Sequence, residues 1–199
     1  MKTVRAYLQW LGLLLLVAVP VAVAATSPLL AWRQPVYIAA GFAGIFALVI
    51  LLFQPLLAAG FVAGVSVVRS RRWHRITGSV LLVLVLLHVA GLWVTSPPDV
   101  IDALLFQSPT SFSVWGVLAM WALLITALLV ALRKRLTCRP AVWRMVHKTL
   151  AVVVVAGTVM HAMLIDGAMG YWSKVVLCAC VAVASVAVLC GRRVLREQS

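Results

Sequence analysis

The chain has 199 residues, 65% of them hydrophobic and 11% charged, with a formal net charge of +13 and a mean hydropathy of +1.14. No water-soluble domain of this size could bury so much apolar surface, so the composition excludes a soluble module and marks an integral membrane protein. The positive charge, which in a soluble chain would suggest nucleic acid, is explained below by topology, and no nucleic-acid partner is expected.

Apolar runs of about 20 residues, enough to cross a bilayer, occur six times, at roughly 8–25, 36–57, 76–94, 114–132, 147–165 and 171–190. Pro20 and Pro55 fall within the first two and should kink them. The apolar stretch 60–68 is left over and is expected to prolong the second helix into the interface. With the N-terminus in the cytoplasm, the inner segments hold fifteen basic residues, among them Arg69, Arg71, Arg72, Arg75, Arg133, Arg139, Arg144 and Lys148, and the outer segments only Arg33 and Lys174. Excess Lys and Arg on the cytoplasmic side sets orientation. The expected fold is therefore an all-α six-transmembrane-helix bundle, both termini inside, forming one domain over 1–199. Asp99, Asp102 and Asp166 then fall outside, and Trp residues mark both boundaries.

Lys2, Arg5, the Leu-rich run and Ala22-Val23-Ala24 imitate a cleavable signal peptide. The apolar run 8–25 exceeds a usual signal core, so a retained first helix is expected; cleavage would leave the other five helices in the same orientation. Cys178 and Cys180 point about 200° apart on a helix and cannot share a metal. With Cys138 and Cys190 they are read as free thiols.

All four histidines lie on two stretches, Trp73-His74-Arg75 running on to His88, and Trp143-Arg144-Met145-Val146-His147-Lys148 running on to His161. Each pair is 14 residues apart, which on an α-helix returns to within about 40° of the same face about 21 Å further along. The third and fifth spans run in the same direction, so the imidazoles can meet at two depths, His74 with His147 inside and His88 with His161 outside. His88 and His161 have only apolar neighbours in sequence, and an ionisable side chain within a span is a functional candidate. A closed zinc site needs four ligands and an open one three, whereas each level offers two. A haem needs only two axial ligands, so the count fits two b-type haems held between helices 3 and 5. Two axial histidines leave no open position and suit one-electron transfer. Arg75 and Arg144 are the first choices to pair with propionates of the inner haem; Arg33, Lys174, Trp93 and Trp172 are candidates at the outer one. Gly78, Gly91 and Gly157 either make room for the macrocycles or pack helices. Met160, His161 and Met163 could attract Cu(I), but Met160 and His161 diverge by about 100° on a helix; a transporter or structural membrane protein whose histidines bind metal or hydrogen-bond between helices is the reading from another class.

The Trp73-His74-Arg75…His88 and Trp143…His147-Lys148…His161 pattern in a six-helix frame resembles the ferric reductase-like transmembrane domain. That family includes the membrane parts of ferric reductases and NADPH oxidases, and the haem subunit of the bacterial periplasmic methionine sulfoxide reductase system. The resemblance implies two b-type haems and electron flow across the cytoplasmic (inner) membrane from a cytoplasmic flavin or nicotinamide donor to an outside acceptor. Only residues 191–199 follow the last apolar run, and no Gly-rich phosphate loop occurs. No flavin or nicotinamide site and no catalytic residue are therefore expected in this chain. A separate cytoplasmic flavin reductase or membrane quinol is the expected donor, and a periplasmic acceptor protein or ferric complex the expected acceptor. The loop 95–113, with Asp99, Asp102 and the apolar piece 100–106, either covers the outer haem as an acceptor site or is an interfacial loop with solvated acids.

Overall fold

Each apolar run becomes a helix, and each helix starts and stops where the backbone chemistry changes. A computed structural model describes residues 2–137 and 139–194, with side chains for residues 4, 6–137 and 139–190. Cys138 and Arg196 lie outside the described residues, as do the side chains of Lys2, Arg5, Arg192 and Arg193. The helices are α1 (Lys2–Ala25), α2 (Pro35–Ala59), α3 (Val67–Thr95), α4 (Pro97–Leu104), α5 (Ser111–Ala131), α6 (Pro140–Leu164) and α7 (Tyr171–Val194), with one 3-10 turn at Pro28–Leu30. The described residues contain no strand. Six helices, all but α4, are long and apolar enough to cross a membrane.

Prolines stand in the first turn of α2, α4 and α6, where their missing N–H would have had no helical partner. Both α1 and α2 run through their internal prolines, Pro20 and Pro55. The stretch 60–68 does not prolong α2. Gly60 adopts the left-handed conformation at φ 74°, and the Phe61 N–H donates back to the Leu56 carbonyl at 2.9 Å, a glycine-terminated helix end. The Ser66 hydroxyl then accepts from the Arg69 N–H, so Val67 and Val68 open α3 instead. α3 and α6 consequently begin well before the apolar runs at 76 and 147. Hydropathy alone misses their first turns because Arg69, Arg71, Arg72 and Arg144 are helical but exposed. The loop 95–113 is also not structureless: Val100 is buried within α4.

Antiparallel α2 and α3 form one hairpin and α5 and α6 another. Within them Gly91 and Gly157 let backbones approach, since a Cβ would stand 2.7 Å from the Ala40 Cβ and 2.9 Å from the Trp115 carbonyl oxygen respectively. Those two glycines pack helices. α7 fills the space against α2 and α6, with α1 laid on α2 and α7. The core runs through Leu48, Leu51 and Leu52 of α2 to Leu177, Cys178 and Val181 of α7. At one end of the bundle the Gln9 amide grips the α2–α3 loop, donating to the Phe61 carbonyl at 2.8 Å and accepting from the Ala63 N–H at 3.0 Å, and the Trp10 indole donates to the Ala63 carbonyl. At the other end Lys174, only 6% exposed, donates from Nζ to the carbonyls of Ile165 at 2.7 Å and Met163 at 3.4 Å. It thereby closes the C-terminus of α6, where backbone carbonyls lack helical partners and the helix dipole favours a cation.

Candidate functional site

α3 and α6 run in the same direction on opposite sides of a gap, with next to no close backbone approach between them. Their histidines bridge it. The rings of His74 and His147 lie 6.3 Å apart, centre to centre, with planes crossed at 80°. Those of His88 and His161 lie 6.4 Å apart, also crossed at 80°. The sequence thus brings all four imidazoles together in the two pairs that their 14-residue spacing predicts.

Three of the four rings are fixed by the partner helix of their own hairpin. His88 Nδ1 donates to the Ala40 carbonyl at 2.7 Å, His161 Nδ1 to the Phe112 carbonyl at 2.9 Å and His74 Nδ1 to the Gln54 carbonyl at 3.2 Å. A carbonyl only accepts, so each such ring carries its proton on Nδ1 and keeps the Nε2 lone pair free. A hydrogen bond of this kind typically fixes the tautomer and orientation of a metal-ligating imidazole. His147 differs. Its Nδ1 is buried without a hydrogen-bond partner among the described residues, and its ring stacks on Trp143 at 5.1 Å, tilted by 6°.

The outer-level rings rest on glycines. A Cβ on Gly44 would stand 3.0 Å from His88 Nδ1, and one on Gly116 would stand 2.7 Å from His161 Nδ1. Each glycine lies four residues after the accepting carbonyl, Ala40 or Phe112, on the same face of its helix. The missing side chain gives the imidazole access to that carbonyl. Sequence reasoning singled out Gly78, Gly91 and Gly157 and missed these two; the signal was a mid-span glycine 44 or 45 residues before a histidine in each hairpin. Gly78 has only the Gln54 side-chain oxygen nearby, at 3.7 Å.

Arg75 and Arg144 are exposed beside the His74–His147 pair. Lys174 is committed to the end of α6, and Arg33 lies over the Tyr37 ring at 4.9 Å. Cys178, Cys180 and Cys190 are free thiols. No three His, Cys, Asp or Glu side chains cluster among the described residues.

The family described as ferric reductase like transmembrane component matches residues 40–158. The chain belongs to the ferric reductase-like transmembrane family. The match spans both hairpins and includes His74, His88 and His147; His161 lies three residues beyond it. No curated protein and no solved structure matches the chain. Membership makes this a multi-pass membrane protein of an electron-transferring family whose domains generally bind haem.

The residues fit such a group. A metal–imidazole bond is about 2.0–2.1 Å long, so two imidazoles on opposite sides of one iron have ring centres about 6.3–6.5 Å apart. The two observed separations, 6.3 and 6.4 Å, are the distances at which paired imidazoles share one metal ion.

Proposed function

We propose that this ferric reductase-like chain is a di-haem b-type cytochrome that carries electrons across the cytoplasmic membrane. In this reading the six spans form one haem-binding domain with both termini inside, an orientation supported by fifteen basic residues on one side against two on the other. His74 and His147 would hold the inner haem, and His88 and His161 the outer. The carrying observation is the pair of ring separations matched to bis-histidyl ligation, at two levels of the same helix pair.

A haem held by two histidines would supply one-electron transfer. The chain's own residues hold and orient it. The backbone carbonyls of Ala40, Phe112 and Gln54 lock three imidazoles with Nε2 facing the gap. Arg75 and Arg144 are placed to pair with propionates at the inner boundary. The donor is a separate cytoplasmic flavin reductase or membrane quinol, and the acceptor is a periplasmic protein or a ferric complex. Electron delivery to a dedicated periplasmic reductase is the same mechanism with a different acceptor.

The test is a reduced-minus-oxidised spectrum with a haem count on the purified protein. Two haems per chain are expected. His88→Leu or His161→Leu should remove one, and His74→Leu or His147→Leu the other. A featureless spectrum would leave a transporter or structural protein; loss of the same single haem in all four variants would leave a one-haem protein.

A further inference from the structure

We infer that Arg69 and Arg72 form a site for the headgroup of an anionic phospholipid, on the lipid-facing side of α3 at its inner end. The inference goes beyond the proposed function and does not depend on haem, since it concerns a face turned away from the histidines.

α3 carries one long exposed stripe. Arg69, Arg72, Ile76, Val80, Val83 and Leu87 are all exposed, and their spacing of three or four residues keeps them within about 80° of one another round the helix. His74 and His88 lie roughly 160° and 120° from the middle of that stripe, so it is the side that meets lipid. The stripe is apolar from Ile76 onward and ends in two guanidiniums. Arg72 stands about 6 Å and Arg69 about 10 Å beyond Ile76 along the axis, within and at the rim of a headgroup layer about 5–8 Å thick. A phospholipid packed along Ile76 and Val80 thereby brings its own phosphate to Arg72. Trp73, exposed beside the pair, adds an indole at the level where such rings favour the interface. α6 is built otherwise. Its exposed stripe, Val142, Met145, Val152 and Met160, stays apolar to its inner end, and Arg144 lies about 120° off it.

The excess of Lys and Arg on the inner side asks only for charge on that side; it does not require guanidiniums on a face that continues into lipid. Their placement is also costly without an anion. Arg69, Arg71, Arg72 and Arg75 stand close together at the start of α3, which contains no acidic residue, and like charges three residues apart repel. Arg69 is in the first turn, where the partial positive charge of the helix end disfavours a cation. The acidic side chains among the described residues, Asp99, Asp102 and Asp166, follow the C-terminal ends of α3 and α6, at the opposite side of the bundle. A phosphate accepts from guanidinium N–H groups in pairs. A zwitterionic headgroup carries its own cation beside the phosphate and offsets little of the repulsion, whereas a net-negative one, such as that of phosphatidylglycerol, offsets it. A soluble acidic protein would approach the pair from beyond the membrane surface and leave the apolar continuation of the stripe unused.

The experiment titrates the purified full chain in detergent with phosphatidylglycerol or phosphatidylcholine of identical acyl chains and reads retained lipid by native mass spectrometry. Phosphatidylglycerol should be retained preferentially. The Arg69→Gln, Arg72→Gln double variant should bind it on the order of 30-fold more weakly, from about fivefold for each basic residue at an anionic surface. Lys134→Gln with Arg135→Gln, the same loss of charge in the exposed α5–α6 connection, should stay near the parent value. Equal retention of the two lipids, equal weakening by both double variants, or displacement by inorganic phosphate at the lipid's own concentration overturns the inference. Unchanged phosphatidylglycerol retention in the Arg69, Arg72 variant also overturns it and leaves an acidic soluble partner for the pair. Where the glutamine pair does not fold, fluorescence decides. Phosphatidylglycerol brominated on its acyl chains should quench the parent more than Trp73→Phe, with no such difference for brominated phosphatidylcholine; the same difference with both lipids overturns the inference. None of these outcomes bears on the haem count, which tests the proposed function separately.

Discussion

Gly116→Ala puts the tightest contact of the site under direct strain. The new Cβ would stand 2.7 Å from His161 Nδ1 and 3.0 Å from its Cε1, whereas ordinary contact begins at 3.4 Å. The ring must retreat by roughly 0.7 Å, which stretches the 2.9 Å bond to the Phe112 carbonyl toward 3.6 Å, beyond hydrogen-bonding range. Losing that bond costs about 0.5–1.5 kcal/mol, and loss of an outer partner of a metal-ligating histidine typically weakens metal affinity 10–100-fold. Gly44→Ala asks His88 to move by only about 0.4 Å, from 3.0 Å, so its effect should be smaller. Gly78→Ala meets nothing closer than 3.7 Å and should be silent. Haem content by pyridine haemochrome and a two-component redox titration of the three variants give the ranking. Full outer-haem occupancy with an unchanged midpoint in Gly116→Ala, or equal damage from Gly78→Ala, would refute the reasoning.

Further expectations are independent of that one. On the proposed ligation, the crossed imidazole planes at both levels would leave the two iron d orbitals they engage nearly degenerate, so the oxidised protein should show strongly anisotropic low-spin EPR signals; ordinary rhombic signals would mean parallel planes. Lys174→Met removes the buried ammonium that closes α6 and should destabilise the protein by about 1.5–3 kcal/mol, seen as a lower thermal midpoint in detergent. Gln9→Ala breaks both bonds of α1 to the α2–α3 loop, about 0.5–1.5 kcal/mol each, and should raise amide exchange at residues 60–66 without changing the haem count.

How much of this was legible follows from what each signal measures. Span number and the histidine pairing depend on composition and on helical period, both of which are local, so the sequence carries them in full. Helix ends depend on single backbone events. Gly60 turning left-handed and Ser66 capping α3 leave 60–66 as a loop and give Val67 and Val68 to the next helix, and no hydropathy average registers that. The orienting contacts were invisible for another reason. Ala40, Gln54 and Phe112 act through their carbonyls, which every residue possesses, so side-chain chemistry gives no hint of them. Gly44 and Gly116 act by lacking a side chain, and among 12 glycines only the three-dimensional contact separates them from packing glycines such as Gly91 and Gly157.

The likeness of the two hairpins explains why the arrangement tolerates so little polar chemistry in its walls. In each, an accepting carbonyl, a glycine one turn later and a histidine 44 or 45 residues beyond that glycine form one unit. Placed in opposition, two such units bring their imidazole rings to 6.4 Å, centre to centre, with each Nδ1 bonded to backbone. An unsatisfied polar group in hydrocarbon costs several kcal/mol, and the unit avoids that by pairing every Nδ1 it uses with backbone. The inner level departs from the pattern only on α6, where Thr126, fourteen residues after Phe112 as Gln54 is after Ala40, bonds to its own helix and aromatic stacking takes over. That departure lies beside the exposed Arg144 and Lys148, and it leaves a buried His147 Nδ1 without a hydrogen-bond partner among the described residues, the cost that the backbone carbonyls spare the other three rings.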